Sequence, residues 1–393
     1  MPTTPPLRPA IYEKPSKDIA PMPRYQSFFP RTEIVFGPGL LERLHAYRGQ
    51  KVGIVTDAFM ARSGALARVK SYLTECEVLV FDEAIPEPPV DTVAKGARLL
   101  TDFCPDVVIA LGGGSPIDAG KAILAIVRET VHGRKVPFVA IPTTSGTGSE
   151  VTSFAVISDP ANGRKFPLIS DELVPDVALL DPEFVRTAPA SVTADTGMDV
   201  ITHAIEAVVS TGASHFSDAF AEKSLELAFA NLPKVFEDGD DLEARDAMHQ
   251  SSCLAGLAFS AAGLGLNHGL AHTLGGRIHV IHGRVNAVLM PLVIAFNAEN
   301  PEAAARYARI ARRIGLDTPS TRAGVRALIR VIENLNIRFG IPSTLRGLGV
   351  DMDEFGRIRS EIAAAALVEP CTASNPRQPS LTELDELLAR AGG

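Results

Sequence analysis

Several quick assignments fail for want of the features they need. The four cysteines, Cys76, Cys104, Cys253 and Cys371, lie far apart with no CxxC spacing. That excludes a zinc ribbon, an iron–sulfur cluster and a disulfide scaffold, and it suits a reducing compartment. Basic runs are also missing. With 38 Lys and Arg against 46 Asp and Glu, the formal charge is −8, so nothing draws the protein to nucleic acid or to an anionic membrane. No apolar run is long enough to span a bilayer, and the opening MPTTPPLRPAIYEKPSKDIAPMPRYQ lacks the apolar core of a signal peptide. The expectation is a cytoplasmic protein.

What remains is an ordinary globular composition, 46% hydrophobic and 21% charged over 393 residues, which is too long for one core and implies two domains. Residues 1–27 are rich in proline and charge without periodicity and read as an extended tail. From Phe28 onward, β-branched runs such as KVGIVTDA, CEVLVFDE and DVVIALGGG alternate with helical patterns such as TVAKGARLLTDF and PIDAGKAILAIVRE. This alternation is the signature of βαβ units on a parallel sheet. SFAVISDPANGRKFPLIS reads as a hairpin turning at Asn162 and Gly163. Beyond Pro189 the periodicity is helical to the end. The expected organisation is a Rossmann-like α/β dinucleotide-binding domain over 28–187 and an all-helical metal-binding domain over 188–393.

Glycine-rich loops concentrate in the sheet half. LGGGSPIDAGK follows a strand and opens a helix, where backbone N–H groups and a helix N-terminus bind phosphate. It is neither a P-loop, since Ser115 and Ala122 stand where glycine and a hydroxyl residue are required, nor a G-x-G-x-x-G motif, since Ile117 replaces the third glycine. A tight strand-to-helix turn explains the same glycines. PTTSGTGSE is a second such loop after a second strand, and two anion-binding loops suggest a dinucleotide. Asp57, at the end of KVGIVT, either accepts both ribose hydroxyls and repels a 2′-phosphate or caps the next helix.

Metal-ligand residues concentrate in the helical half. Asp199 and His203 in GMDVITHAIEA, His268 and His272 in NHGLAHTLGG, and His282 in HGRVNAV interrupt stretches that are otherwise small and apolar. An unpaired polar group buried there costs free energy. Residues four apart share one helix face, so each pair can converge on one point. Three imidazoles and a carboxylate suit iron(II) or zinc(II). Spacing alone does not choose between His268 and His272, and isolated histidines are commonly surface or core residues.

GGGSPIDAGK, PTTSGTGSEVT, TGMDVITHAIEA, NHGLAHTLGG and HGRVNAVLMP, in this order and spacing, resemble the iron-containing (group III) alcohol dehydrogenases from about Phe28 to Arg377. GSEVTSFAVISDP, ITHAIEAVVS, AGLAFSAAGLGLNH and SNPR resemble most closely the branch that handles 1-propanol in propanediol-utilising microcompartments. The resemblance implies the dehydroquinate synthase-like fold, NAD(H) and one divalent metal. It implies that Asp199, His203, His268 and His282 bind the metal, iron(II) first and zinc(II) as the alternative, with His272 beside it as the catalytic residue near the nicotinamide. It also implies that Gly112, Gly113, Gly114, Ser115 and Asp118 hold the pyrophosphate, that Thr143, Thr144 and Thr147 line the nucleotide, and that Lys165 approaches the ribose. Asp57 then selects NAD. Phe154 and Phe259 line an apolar substrate pocket, and His279, an extra histidine, is expected to face solvent.

The expected reaction is hydride transfer between NAD(H) and a short aldehyde or primary alcohol whose oxygen the metal polarises, with His272 relaying the hydroxyl proton. Propionaldehyde with 1-propanol, or acetaldehyde with ethanol, are the expected pairs. Rival readings are a diol dehydrogenase of the same fold, a dehydroquinate-synthase-like lyase and a silent metal-binding protein. The lyase would need several cations around the metal, where these motifs offer mainly Arg277 and Arg284. A homodimer or larger homo-oligomer is expected. A microcompartment lumen is a further expectation, although the proline-broken tail reads as disordered or interface-wrapping rather than as a targeting helix.

Overall fold

Strands form where β-branched residues run together. The computed structural model describes residues 28–37, 39–130, 134–162, 164–278 and 280–393, without the side chains of 162, 164 and 165. The tail expected over 1–27, His279 and the Lys165 side chain therefore lie outside the described residues. The strands are β1 (Glu33–Phe36), β2 (Lys51–Thr56), β3 (Glu77–Phe81), β4 (Val107–Gly112), β5 (Phe138–Pro142), β6 (Phe154–Asp159), β7 (Arg164–Ile169) and β8 (Val177–Leu180). Six of them form one sheet in the order β1-β8-β5-β4-β2-β3, with every pairing parallel. β6 and β7 form the antiparallel hairpin expected around Asn162 and Gly163.

Among the helices of this half, α1 (Ala58–Arg62) and α2 (Ala65–Tyr72) follow β2, α3 (Val90–Phe103) follows β3, and α4 (Gly114–Thr130) follows β4. Parallel strands covered on both faces read as continuous apolar runs, and β4 is buried along its whole length. Its side chains alternate between two cores. Val107, Ile109 and Leu111 join Val52, Ile54 and Ile141 on one face, whereas Val108 and Ala110 join Phe138 with Ile117 and Ile123 of α4 on the other.

The helical half comprises α5 (Ala190–Val209), α6 (His215–Glu237), α7 (Leu242–Ala262), α8 (Leu266–Ile278), α9 (His282–Asn297), α10 (Pro301–Arg313), α11 (Thr321–Arg338), α12 (Met352–Leu367) and α13 (Leu381–Gly392). α5 is buried on nearly every face and carries Asp199, His203 and Glu206 into the interior. Its polar groups therefore have to find partners there. Among the described residues no single helix is long and apolar enough to cross a membrane.

The two halves meet where Cys253 and Leu257 of α7 pack on Val151, Ala178 and Leu180. Gly148 takes φ +64 and lies backbone to backbone on Gly256, so a Cβ on Gly148 would stand 2.6 Å from the Gly256 Cα.

Candidate active site

The carboxyl ends of β2, β4 and β5 lie side by side, and they carry Asp57, Gly112 and Thr143. The chain leaves β2 toward β3 in one direction and β4 toward β5 in the other, so a crevice opens between β2 and β4 at the switch of winding. Gly112 has φ +152, and a Cβ there would collide with Pro116 at 2.5 Å. Glycine is therefore required for the turn into α4. Thr144 and Thr147 close on the same loop, 3.2 Å and 2.8 Å from where Cβ atoms of Gly113 and Gly114 would stand. The two glycine-rich loops form one bare-backbone cradle at a helix N-terminus, with Ser115 in the first turn of α4. Asp57 caps α1, its Oδ1 accepting from the backbone N–H of Phe59 and Met60 at 2.8 Å each.

Asp118, expected at the pyrophosphate, is partly buried and already engaged by the protein. It accepts from Ser149 Oγ at 2.6 Å and from the Val156 N–H at 3.0 Å, and burial pushes its carboxyl up. The neighbouring Lys121 is fully buried and donates to the carbonyls of Thr152 and Phe154 at 2.9 Å and 2.7 Å. Burial holds it down at about 8. These two residues tie the base of the hairpin to α4. They bring Phe154 to a ring-centroid distance of 5.8 Å from Phe259, which itself stacks on His203 at 4.5 Å.

Asp199 and His203 lie one turn apart on α5, His268 and His272 one turn apart on α8, and His282 is the first residue of α9. Asp199 Oδ1 faces three imidazole Nε2 atoms, at 3.5 Å from His268, 3.6 Å from His282 and 4.0 Å from His203. Donors on a tetrahedral ion with bonds near 2.0–2.1 Å stand about 3.3–3.6 Å apart, so Asp199, His268 and His282 stand at a spacing that suits one small divalent cation, with His203 a little farther from Asp199. Charge agrees with geometry. Burial alone would raise the Asp199 carboxyl, but His203, His282 and His268 hold it far below the usual carboxylate range. Burial pushes His203 down to about 3 despite Asp199, whereas Glu206 and Asp199 overcome burial to lift His268 to about 9. Two buried carboxylates thus bracket His268, a negative environment that a cation satisfies.

His272 is turned elsewhere. Its Nδ1 lies 2.8 Å from Glu369 Oε1, and its ring stacks on His282 at 5.4 Å. The two α8 histidines that spacing could not separate therefore differ in their partners.

Two family descriptions divide the chain between them. "Iron-containing alcohol dehydrogenase" matches residues 30–182, and "Fe-containing alcohol dehydrogenase family, C-terminal" matches residues 193–392. The chain belongs to the iron-containing alcohol dehydrogenases. It is 44% identical over 367 residues to the 1-propanol dehydrogenase PduQ of Citrobacter freundii, covering 92% of this chain and 99% of that one. It is 41% identical to the NADPH-dependent butanol dehydrogenase of Clostridium saccharobutylicum, covering 90% and 95%. Among solved structures, the iron-containing alcohol dehydrogenase of Thermococcus thioreducens superposes with a TM-score of 0.84 at 34% identity, covering 93% of this chain and 99% of that one. The protein is an enzyme that interconverts alcohols and aldehydes.

In this alcohol dehydrogenase, sequence reasoning missed the residues that hold the histidines. Glu206 Oε2 approaches His268 Nδ1 at 2.5 Å, and its Oε1 accepts from the Asn267 N–H at 2.6 Å. Asn286 donates to Asp199 Oδ1 at 2.7 Å, and its own side-chain oxygen accepts from Asn267 Nδ2 at 2.9 Å. An acid one turn past His203 in an apolar helix was a usable signal for Glu206. Glu369 had none, since it lies 97 residues from His272.

His249 of α7 sits under the loop that carries Ser145, its Nδ1 3.1 Å from Ser145 Oγ. Burial pushes it from 6.5 down to about 4, so the unfolded chain binds the extra proton between those values. Its contribution is complete above pH 6.5 and is lost as pH falls toward 4, on the order of 3 kcal/mol in all. His249→Asn is therefore expected to flatten the loss of thermal stability across that window. Equal slopes in variant and parent would refute the assignment.

Proposed function

We propose that the enzyme interconverts short aldehydes and primary alcohols, with propionaldehyde and acetaldehyde as the leading substrates and NAD(H) as the hydride carrier. The observation that carries this reading is the convergence of three imidazole Nε2 atoms on Asp199 Oδ1 at 3.5, 3.6 and 4.0 Å, beside an apolar wall of Phe154 and Phe259. Asp199, His203, His268 and His282 would hold one divalent metal, iron(II) in first place with zinc(II) accepted by the same donors. When bound, the metal supplies Lewis-acid polarisation of the substrate oxygen.

The rest falls to the chain itself. Gly112, Gly113, Gly114 and Ser115 offer the pyrophosphate a helix N-terminus, and Thr143, Thr144 and Thr147 line the nucleotide. Asp118 braces this loop rather than touching phosphate. Lys165 is assigned to the ribose side on the family resemblance. Asp57 favours NAD, because a carboxylate at this strand end repels a 2′-phosphate. His272, with Nδ1 engaged by Glu369, keeps Nε2 to take and return the hydroxyl proton. Arg284 is paired with Asp195 at 2.8 Å and Arg277 with Glu361 at 2.9 Å, so neither is free to bind a phosphorylated lyase substrate. The division at 187/188 separates the nucleotide and metal functions. Action in the cytoplasm as a homo-oligomer, in a microcompartment lumen, is proposed on the resemblance to that branch.

The test is anaerobic purification, elemental analysis and NADH oxidation with propionaldehyde, acetaldehyde and a panel of diols. The expected result is one metal per chain, turnover of the two aldehydes, and at least about tenfold lower kcat/KM with NADPH, the equivalent of ~1.4 kcal/mol. No turnover at full metal loading would overturn the proposal.

A further inference from the structure

We propose that His272, Glu369 and Cys371 form a second divalent-cation site, next to the Asp199 cluster, that takes a thiophilic ion such as zinc(II) and inhibits the enzyme when filled. One imidazole nitrogen, one carboxylate oxygen and one sulfur from these residues all lie within 4.8 Å of one another. His272 Nδ1 stands 2.8 Å from Glu369 Oε1 and 4.0 Å from Cys371 Sγ. Neighbouring donors on tetrahedral zinc are about 3.3–3.6 Å apart, so side-chain shifts on the order of an ångström or less complete a three-donor site with one position open to water.

The site is built rather than incidental. Glu369 caps the short 3-10 turn Pro370–Ser374, and its Oε2 accepts from the Cys371 N–H at 2.6 Å. This fixes the carboxylate against the Cys371 backbone, from which the sulfur projects. Gly269, one turn before His272, has no Cβ to collide with Thr372 Oγ1, so the turn can lie directly on α8. The His272 side chain is 38% exposed, which leaves the cluster open to an entering ion.

Burial and Glu369 push the Cys371 thiol well above its ordinary value. It is therefore a poor nucleophile and a poor redox sensor as it stands. A bound cation changes that, since a coordinating thiol is deprotonated outright. On binding, bonds form to Nδ1, Sγ and a Glu369 oxygen. The thiol proton leaves to solvent, and the Nδ1 proton is replaced by one on Nε2 as the imidazole changes tautomer. Nε2 then cannot accept a proton from substrate. The inhibition rests on the relay reading of His272, whereas the binding does not.

Titration of the metal-loaded enzyme with cobalt(II) tests the site. The expected result is a near-ultraviolet thiolate-to-cobalt charge-transfer band that saturates at one further equivalent, is absent in Cys371→Ser and is weakened in Glu369→Gln. Zinc(II) is expected to displace the cobalt and suppress turnover, with an inhibition constant at least about tenfold higher in Cys371→Ser, scaled to that variant's own rate. No band in the parent, or an equal band in Cys371→Ser, overturns the site. A band without loss of rate overturns the inhibition and, with it, the relay role of His272.

Discussion

His282→Ala is expected to fold, to lose its stoichiometric metal and to lose kcat/KM by on the order of 10³ or more, since the polarisation a metal supplies is worth several kcal/mol and each ~1.4 kcal/mol is tenfold. His282 is the most informative ligand to remove because truncation there disturbs the fold least. It opens α9, its side chain is 41% exposed, and Ile281 rather than His282 occupies the N-cap position. Asn286, one turn on, keeps its bond to Asp199. Elemental analysis beside a thermal melt separates the effects. A folded variant that still held one metal per chain would remove His282 from the ligand set.

Glu206→Ala is expected to have the second largest effect, and to act on stability first. The carboxylate is buried, with its side chain 4% exposed, and its removal strands two interior donors, His268 Nδ1 and the Asn267 N–H. Breaking a buried charged pair costs about 3–5 kcal/mol, enough to be plain in a melt. Glu206→Gln separates orientation from folding. Its carbonyl can still accept from Asn267, but it no longer offers His268 a charged acceptor, so metal affinity should fall roughly 10–100-fold with a smaller loss of stability. Parent-like metal affinity in Glu206→Gln would show that Glu206 does not set the orientation of His268.

The parallel strands were legible because burial on both faces turns them into unbroken apolar runs, and the hairpin because its turn residues are explicit. β1 was missed. Its four residues pair only with β8, far along the chain, and carry no period of their own. Helix spacing brought Asp199 to His203 and His268 to His272, since periodicity is local. Which α8 histidine turns toward Asp199 depends on what meets each Nδ1, namely Glu206 for one and Glu369 for the other. Those partners come from other elements and leave no mark beside the histidines. Asp118 shows the converse. Its place in GGGSPIDAGK suggests phosphate, yet three-dimensional neighbours claim both oxygens.

The contact of Gly148 with Gly256 has a consequence for rate. Two bare backbones touching leave no side chain to yield, so a Cβ added at either glycine would force the loop and α7 apart. Hydride transfer falls off steeply with carbon-to-carbon separation, while ground-state binding tolerates small changes in it. A methyl wedged into that seam, as in Gly256→Ala, is therefore expected to show in the isotope effect on turnover before it shows in affinity.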